Sequence, residues 1–229
     1  MGDRVHYTVD ASVATIQMDD GKVNALSPDM QREINEALDH AELEGIGAVV
    51  IAGNNRVFSG GFDLGVLTAG GEAAIGMLAG GFELAARILA FPKPVVMACT
   101  GHAIAMGSFL LLSGDHLVGS PDHRVMANEV AIGLTMPRAA LAILRHRLTP
   151  AAYQRAVGLA VPFVGEAAVA AGYLDELVRS DRVRVRAEEL ARNFTALDAR
   201  AHSASKLLAR AEVLDAVRTA IDSEFRPAQ

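Results

Sequence analysis

Apolar and polar positions alternate from the start of the chain. Val5, Tyr7 and Val9 are separated by polar residues, and Val13 to Met18 repeats the pattern after the turn Asp10-Ala11-Ser12. Alternation of period two across a short turn predicts a β-hairpin. Asp19 to Lys22 is a loop, and Ser27-Pro28 then opens a helix as N-cap and first helical residue. Met30, Ile34, Ala37 and Leu38 recur at helical spacing, and Gly45-Ile46-Gly47 ends the element. Ala48 to Ala52 is a continuous apolar run that reads as a buried strand. A loop is expected from Gly53 to Asp63. The Gly-rich stretch Thr68 to Gly81 reads as mobile, leading into a helix through Ile88.

The next stretch, Lys93 to Asp115, organises the chain. Val95 to Thr100 is apolar and rich in β-branched residues, Gly101 breaks it, and Met106 to Ser113 predicts an apolar helix stopped by Gly114. A strand, a tight turn and a buried helix start leave backbone N–H groups without intrahelical partners. The positive end of a helix favours a ligand oxygen that gains negative charge. His116 to Gly119 and Val125 to Ala127 are short strands, and from Pro137 onward the pattern is helical: Ala139 to Leu148, Pro150 to Gly158, Gly165 to Ala171, and Val183 to the end. Strands alternating with helices predict an α/β fold with a mainly parallel sheet. The composition shifts near Leu148, which divides the chain into an α/β core over 1–148 and a helical part over 149–229.

Composition removes several classes. The chain has 229 residues, 51% hydrophobic and 21% charged, enough for one large domain with a substantial core. A formal charge of −6 with no basic block argues against nucleic acid as a partner. The single cysteine, Cys99, cannot close an internal disulfide, which suits a reducing, cytoplasmic setting. The N-terminal residues have no apolar signal core, and no run reads as approaching the roughly 18 apolar residues of a membrane span. The seven histidines lack metal-ligand spacing, so no metal is expected. No phosphate loop, dinucleotide fingerprint or GxSxG elbow occurs.

Two further stretches carry chemistry. Asn54 to Leu64, NNRVFSGGFDL, sets Gly60-Gly61 after the Val49–Ile51 strand, where α/β folds bind ligands and glycine lets backbone approach a substrate. Ala127 to Gly133 places Glu129 at a strand end among Met126, Val130 and Ile132, a setting that desolvates a carboxylate and raises its pKa.

Together with Asn24-Ala25-Leu26, Lys93-Pro94-Val95, Gly101, Ala103 and Asp115, these stretches resemble the crotonase superfamily, the enoyl-CoA hydratase/isomerase family, from the first hairpin to about Lys206. The resemblance implies a spiral of ββα units and a helical C-terminal part that packs in trimers or paired trimers. It implies an acyl-CoA thioester as substrate, with coenzyme A carried by the substrate and no other cofactor. It assigns the oxyanion hole to the backbone N–H groups of Gly60 and Met106, and acyl-CoA contacts to Ala25, Gly60, Gly61, Phe62, Asp63, Leu64, Met106 and Phe109. Met106 stands where the family commonly has glycine.

Family hydratases carry a glutamate at the position of Phe109 and a second at Glu129. This chain keeps only Glu129, and its Asn128-Glu129 pair resembles the isomerase branch. One carboxylate is sufficient there, because the same group takes and returns the proton. The expected reaction is therefore the shift of 3-enoyl-CoA to 2-enoyl-CoA, with hydration or weakly catalytic acyl-CoA binding as alternatives. Met136 to Ala140 departs from the family's PGAGG segment and underlies the last of these.

Overall fold

The computed structural model describes residues 2–43 and 45–226. β1 (Val5–Asp10) and β2 (Val13–Met18) form the expected antiparallel hairpin, with Val5 opposite Met18 and Asp10 opposite Val13. In α1 (Pro28–Leu43), Ser27 caps the helix by accepting from Met30 N at 3.2 Å. β3 (Ala48–Ala52) is buried at every position, as its unbroken apolar run requires.

From there the chain winds as a spiral. β3 is followed by β4 (Val57–Ser59), then α2 (Leu64–Ala69) and α3 (Gly71–Ala90). β5 (Val95–Ala98) and β6 (His102–Ile104) lead to α4 (Met106–Leu111). β7 (His116–Gly119) and β8 (Arg124–Met126) lead through a 3-10 turn, Glu129–Ile132, to α5 (Arg138–Arg147) and α6 (Pro150–Leu159). β9 (Phe163–Val164), α7 (Glu166–Ala171), β10 (Glu176–Leu177), α8 (Val183–Phe194), α9 (Ala199–Ala209) and α10 (Ala211–Phe225) complete the chain.

Each spiral turn gives one strand to each of two sheets. The larger has the order β1-β2-β3-β5-β7-β10 and is parallel beyond the hairpin; the smaller has the order β4-β6-β8-β9 with only β9 antiparallel. The main apolar core runs on both sides of Leu148, from Ile16 and Phe82 to Val213 and Ile221.

The structure differs from the sequence expectations in several places, among them β9 and β10, short strands that join the two sheets from within the part expected to be helical over 149–229. The Gly-rich stretch from Thr68 is ordered helix from Gly71, because α3 packs on α1, α4 and α10 and that packing outweighs the poor helix propensity of Gly76, Gly80 and Gly81. The loop from Gly53 contains β4, too short to show periodicity. The helical run from Val183 divides into α8, α9 and α10; its last three residues lie outside the described residues. α3 is also long and apolar enough to cross a membrane, contrary to the reading that no run approaches that length. Half of its residues are buried within the protein, as in a core helix.

A buried ionic cluster ties the C-terminal helices to this framework. Asp115 Oδ2 accepts from Lys206 Nζ at 2.7 Å and from Val95 N at 2.7 Å, while Oδ1 faces Arg210 at 2.9 Å. Arg210 also donates to Leu89 O and Gly114 O. Burial pulls the Lys206 ammonium down to about 8, with Asp115 opposing the shift. Removing one partner of such a cluster leaves the others charged and unpaired. Asp115→Ala should therefore cost about 3–5 kcal/mol in urea unfolding. A loss below about 1 kcal/mol would mean that apolar packing alone holds α9 and α10.

Candidate active site

The smaller sheet places the candidate residues. β4, β6 and β8 are neighbouring parallel strands, so their carboxyl ends lie along one edge, spaced by about 5 Å per strand. β4 runs into Gly60-Gly61-Phe62, β6 into Ala105-Met106, and β8 into Asn128-Glu129. Sites in parallel α/β sheets form at such an edge.

The loop after β4 is fastened from below. Asn24 Nδ2 donates to Met18 O at 3.0 Å and to Phe58 O at 3.2 Å, and Ser59 Oγ donates to Asn24 O at 2.8 Å. Gly61 has φ 96°, and a Cβ there would sit 3.0 Å from Ala105 Cβ and 3.4 Å from Met106 N. Glycine is therefore required at this position, and it brings the β4 loop against the start of α4. Gly107 is required for the same close approach, since a Cβ would fall 2.3 Å from Ser59 O.

The backbone donors differ from the expectation at one residue. The Gly60 N–H donates to Val23 O at 2.8 Å, and the Gly61 N–H to Ser59 Oγ at 3.2 Å, so neither is free for a ligand oxygen. Among the described residues the Phe62 and Met106 N–H groups make no hydrogen bond. The Gly60 N–H expected to face a ligand oxygen is thus already spent, and the unspent donor on this loop is Phe62, two residues on. Met106 does not need glycine's freedom; the left-handed residue is Ala105, with φ 49°. α4 has only six residues, so its individual N–H groups matter more than a macrodipole.

Glu129 is 7% exposed, and its Oε2 is buried without a hydrogen-bond partner. Burial raises its pKa from 4.5 to about 7, and its own backbone N–H lowers it only in part. Phe109 is buried and stacks on Phe82 at 6.2 Å, in an aromatic column that continues to Phe225.

A cavity of about 740 Å³ opens beside this edge, lined in part by Ala25, Gly60, Phe62, Asp63 and Leu64. Gly61, Met106, Phe109 and Glu129 are not among its lining residues. Asp63 accepts from Gly65 N and Val66 N as the N-cap of α2, so its carboxylate serves the helix. Lys22 and Arg4 in the lining were not singled out in the sequence; they are cations in a cavity also lined by Asp20, Asp29 and Asp63, with Arg4 paired to Asp29 at 3.3 Å. A second cleft of about 560 Å³, between α3 and α10, holds neither Glu129 nor the free N–H groups. Its Arg226 pairs with Glu83, which is thereby occupied away from the site.

A buried carboxylate that can hold a proton near neutral pH, beside two unspent N–H donors on adjacent strand ends, defines an acid–base site able to stabilise a developing oxyanion. The chain belongs to the enoyl-CoA hydratase/isomerase family, whose model matches residues 8–226. It is similar over 97% of its length to a crystal structure of an enoyl-CoA hydratase, ECHA3, from Mycobacterium marinum, with 58% identity, full coverage of that chain and a TM-score of 0.95. An apo structure from Mycobacterium tuberculosis, described as an enoyl-CoA isomerase, has the same identity and TM-score and covers 97% of this chain and 98% of its own. A "Probable enoyl-CoA hydratase echA17" from Mycobacterium avium is 32% identical over 81% of this chain and 73% of its own length.

The raised pKa of Glu129 has a consequence for stability. Its folded pKa lies above its unfolded value, so the unfolded chain releases this proton first as pH rises from 4.5 to 7. Stability from this group is full below pH 4.5 and lost as pH climbs through 7, at most about 3 kcal/mol. Glu129→Gln should thus raise the melting temperature relative to wild type at pH 8, and the difference should shrink toward pH 5. Equal differences at both values would show that the Glu129 carboxylate is not held in a desolvated site.

Proposed function

We propose that this protein shifts the double bond of 3-enoyl-CoA to give 2-enoyl-CoA. The observation that carries the reading is the buried carboxylate of Glu129, with an unpartnered oxygen and a pKa that burial raises to about 7. Glu129 takes a proton from C2 of the acyl thioester, and the electron pair delocalises onto the thioester oxygen as a dienolate. The Phe62 and Met106 N–H groups stabilise that oxygen. The same carboxylate returns the proton at C4, so atoms and charge balance without a redox group or metal. Losing one such backbone donor typically costs about 3–4 kcal/mol of barrier lowering.

Phe109 favours isomerisation over hydration. Water addition needs two groups to hold and guide a water, and a buried, stacked phenyl ring neither donates nor accepts a hydrogen bond. A drier site also strengthens the oxyanion donors and the basicity of Glu129. The acyl-CoA would enter through the Ala25–Leu64 cavity, with Lys22 at its rim placed for a phosphate.

Hydration is the second reading, and the hydratase descriptions carried by similar proteins favour it. Both rates measured on one preparation decide between them: isomerisation should exceed hydration, and an equal or faster hydratase rate would sink the assignment. Phe109→Glu should then move the ratio toward hydration.

Glu129→Gln should lower isomerisation by about 10²–10⁴-fold while acyl-CoA affinity stays within a few-fold. Near-full activity would remove Glu129 as the base.

The assembly we propose is a trimer, or two trimers paired. α9 exposes Leu208 at 80% and Leu207 at 42%, and Leu197 just before it at 51%, more apolar surface than an isolated helix pair favours. Light scattering at micromolar concentration should give at least three times the 24.1 kDa chain mass; a monomeric mass would overturn the proposal.

A further inference from the structure

Tyr173 is a large polar side chain whose burial the proposed mechanism leaves unexplained. It follows α7, where its N–H donates to Ala168 O at 2.9 Å, and it is completely buried. Yet its hydroxyl has no hydrogen-bond partner. Burying a hydroxyl without a partner is destabilising, and phenylalanine would fill nearly the same volume without that cost. The hydroxyl therefore calls for a reason other than packing.

The fold puts this ring beside the candidate base. Tyr173 packs on Phe163 with centroids 5.1 Å apart, and Phe163 of β9 is paired with Val125 of β8. Four residues after Val125 stands Glu129, whose Oε2 is also buried and unpartnered. The two orphaned atoms thus belong to one neighbourhood, built from the β8–β9 pair and the helices behind it. They are also chemically complementary: a phenol O–H donates, and a carboxylate accepts.

We propose that Tyr173 is a positioning residue for Glu129, its hydroxyl donating to the Oε2 side of the ionised carboxylate and holding it in the orientation that takes and returns the substrate proton. The inference rests on the reading of Glu129 as the base. In free enzymes such hydrogen bonds are often long and close only in the complex, so the absence of a bond between the two groups here is compatible with the role. Asn128 Oδ1, also buried and unpartnered, is the competing acceptor. A bond to a carboxylate is roughly twice as strong as one to a neutral amide, which directs the phenol to Glu129 once it ionises.

Electrostatics agree with the geometry. Burial raises the Tyr173 pKa first, and the negative charge of Glu129 raises it further, so the carboxylate is felt at the phenol. No reciprocal charge effect appears at Glu129, as expected when the phenol is neutral throughout the range in which the carboxylate titrates. The charged groups packed around this corner are engaged elsewhere. Arg155 of α6 lies 5.0 Å over the outer partner ring, Phe163, and Arg147 of α5 pairs with Asp175 at 2.9 Å. Arg145 donates to Tyr153. None of them contributes to the shift at Glu129.

The test is the side-chain ¹³C resonance of Glu129, titrated in wild type and in Tyr173→Phe with a substrate analogue bound. A donor to the charged form lowers a pKa, so its removal should raise the Glu129 midpoint by about 0.5–1 unit. The acid limb of the kcat profile should move by the same amount, with turnover down about 3–10-fold at pH 6 and within about two-fold of wild type at pH 9. An unmoved midpoint overturns the proposal. So does a rate loss equal at every pH, which is the mark of packing alone. Should Tyr173→Phe fail to fold, 3-fluorotyrosine placed at 173 keeps the hydroxyl and makes it a stronger donor. The midpoint should then move down, and no movement would overturn the assignment. Full activity in Glu129→Gln would defeat the base reading by itself, while the resonance would still report whether Tyr173 bonds Glu129.

Discussion

The parallel pairing of β4, β6 and β8 is the constraint on which the rest of the site depends. Each strand has only three residues, and the pairs Ser59–Ala103 and Ile104–Met126 fix where each one stops. Because all three run the same way, their following residues leave the sheet at one edge, and groups far apart in sequence, Phe62, Met106 and Glu129, converge. A shift of one residue in any of these pairings would turn the next side chains to the opposite face. The catalytic arrangement is therefore a property of register first and of side-chain identity second.

Around that edge, polar groups divide into those already satisfied and those kept free. Asn24, Ser59, Asp63 and the Gly60 N–H are spent on holding backbone in place. The Phe62 and Met106 N–H groups, Glu129 Oε2 and the Tyr173 hydroxyl are not. Leaving buried polar groups unpaired costs stability; Asn128 Oδ1, Glu129 Oε2 and the Tyr173 hydroxyl are three such atoms, while others, such as His116 Nε2 and His202 Nε2, lie away from this edge. Ala105 adds to the same account: a residue with a Cβ held at φ 49° and ψ −127° is strained, and it stands immediately before one of the free donors.

Much of this was legible in the sequence, for identifiable reasons. The unbroken apolar run of Ala48 to Ala52 could only be a strand buried on both faces, and Ser27-Pro28 marks a helix start by chemistry that acts within a few residues. Glu129 stood out in the sequence as a lone carboxylate among Met126, Val130 and Ile132, yet Val130 and Ile132 are exposed, so its burial comes from the fold rather than from those flanks. The unspent N–H of this loop was not legible, because Gly60 and Phe62 both carry one, and which is spent depends on Val23, nearly forty residues away. α3 was obscured by its glycines, since its stability comes from α1, α4 and α10 rather than from its own residues. Tyr173 gave no local signal at all: the ring it packs on, Phe163, is ten residues away, and Glu129 is more than forty.

Asp115, the half-buried aspartate just ahead of β7, has a consequence for the order in which the molecule is completed. Asp115 accepts from the amide that begins β5, yet both of its cationic neighbours come about ninety residues later. A chain growing from its N-terminus must therefore carry this carboxylate hydrated until α9 emerges, because closing the cavity around an unneutralised charge is prohibitive. β5 pairs with β3 and β7 in the large sheet and, through the short link to β6, bears on the catalytic edge. The last helices thus supply the cations that neutralise and cover this carboxylate.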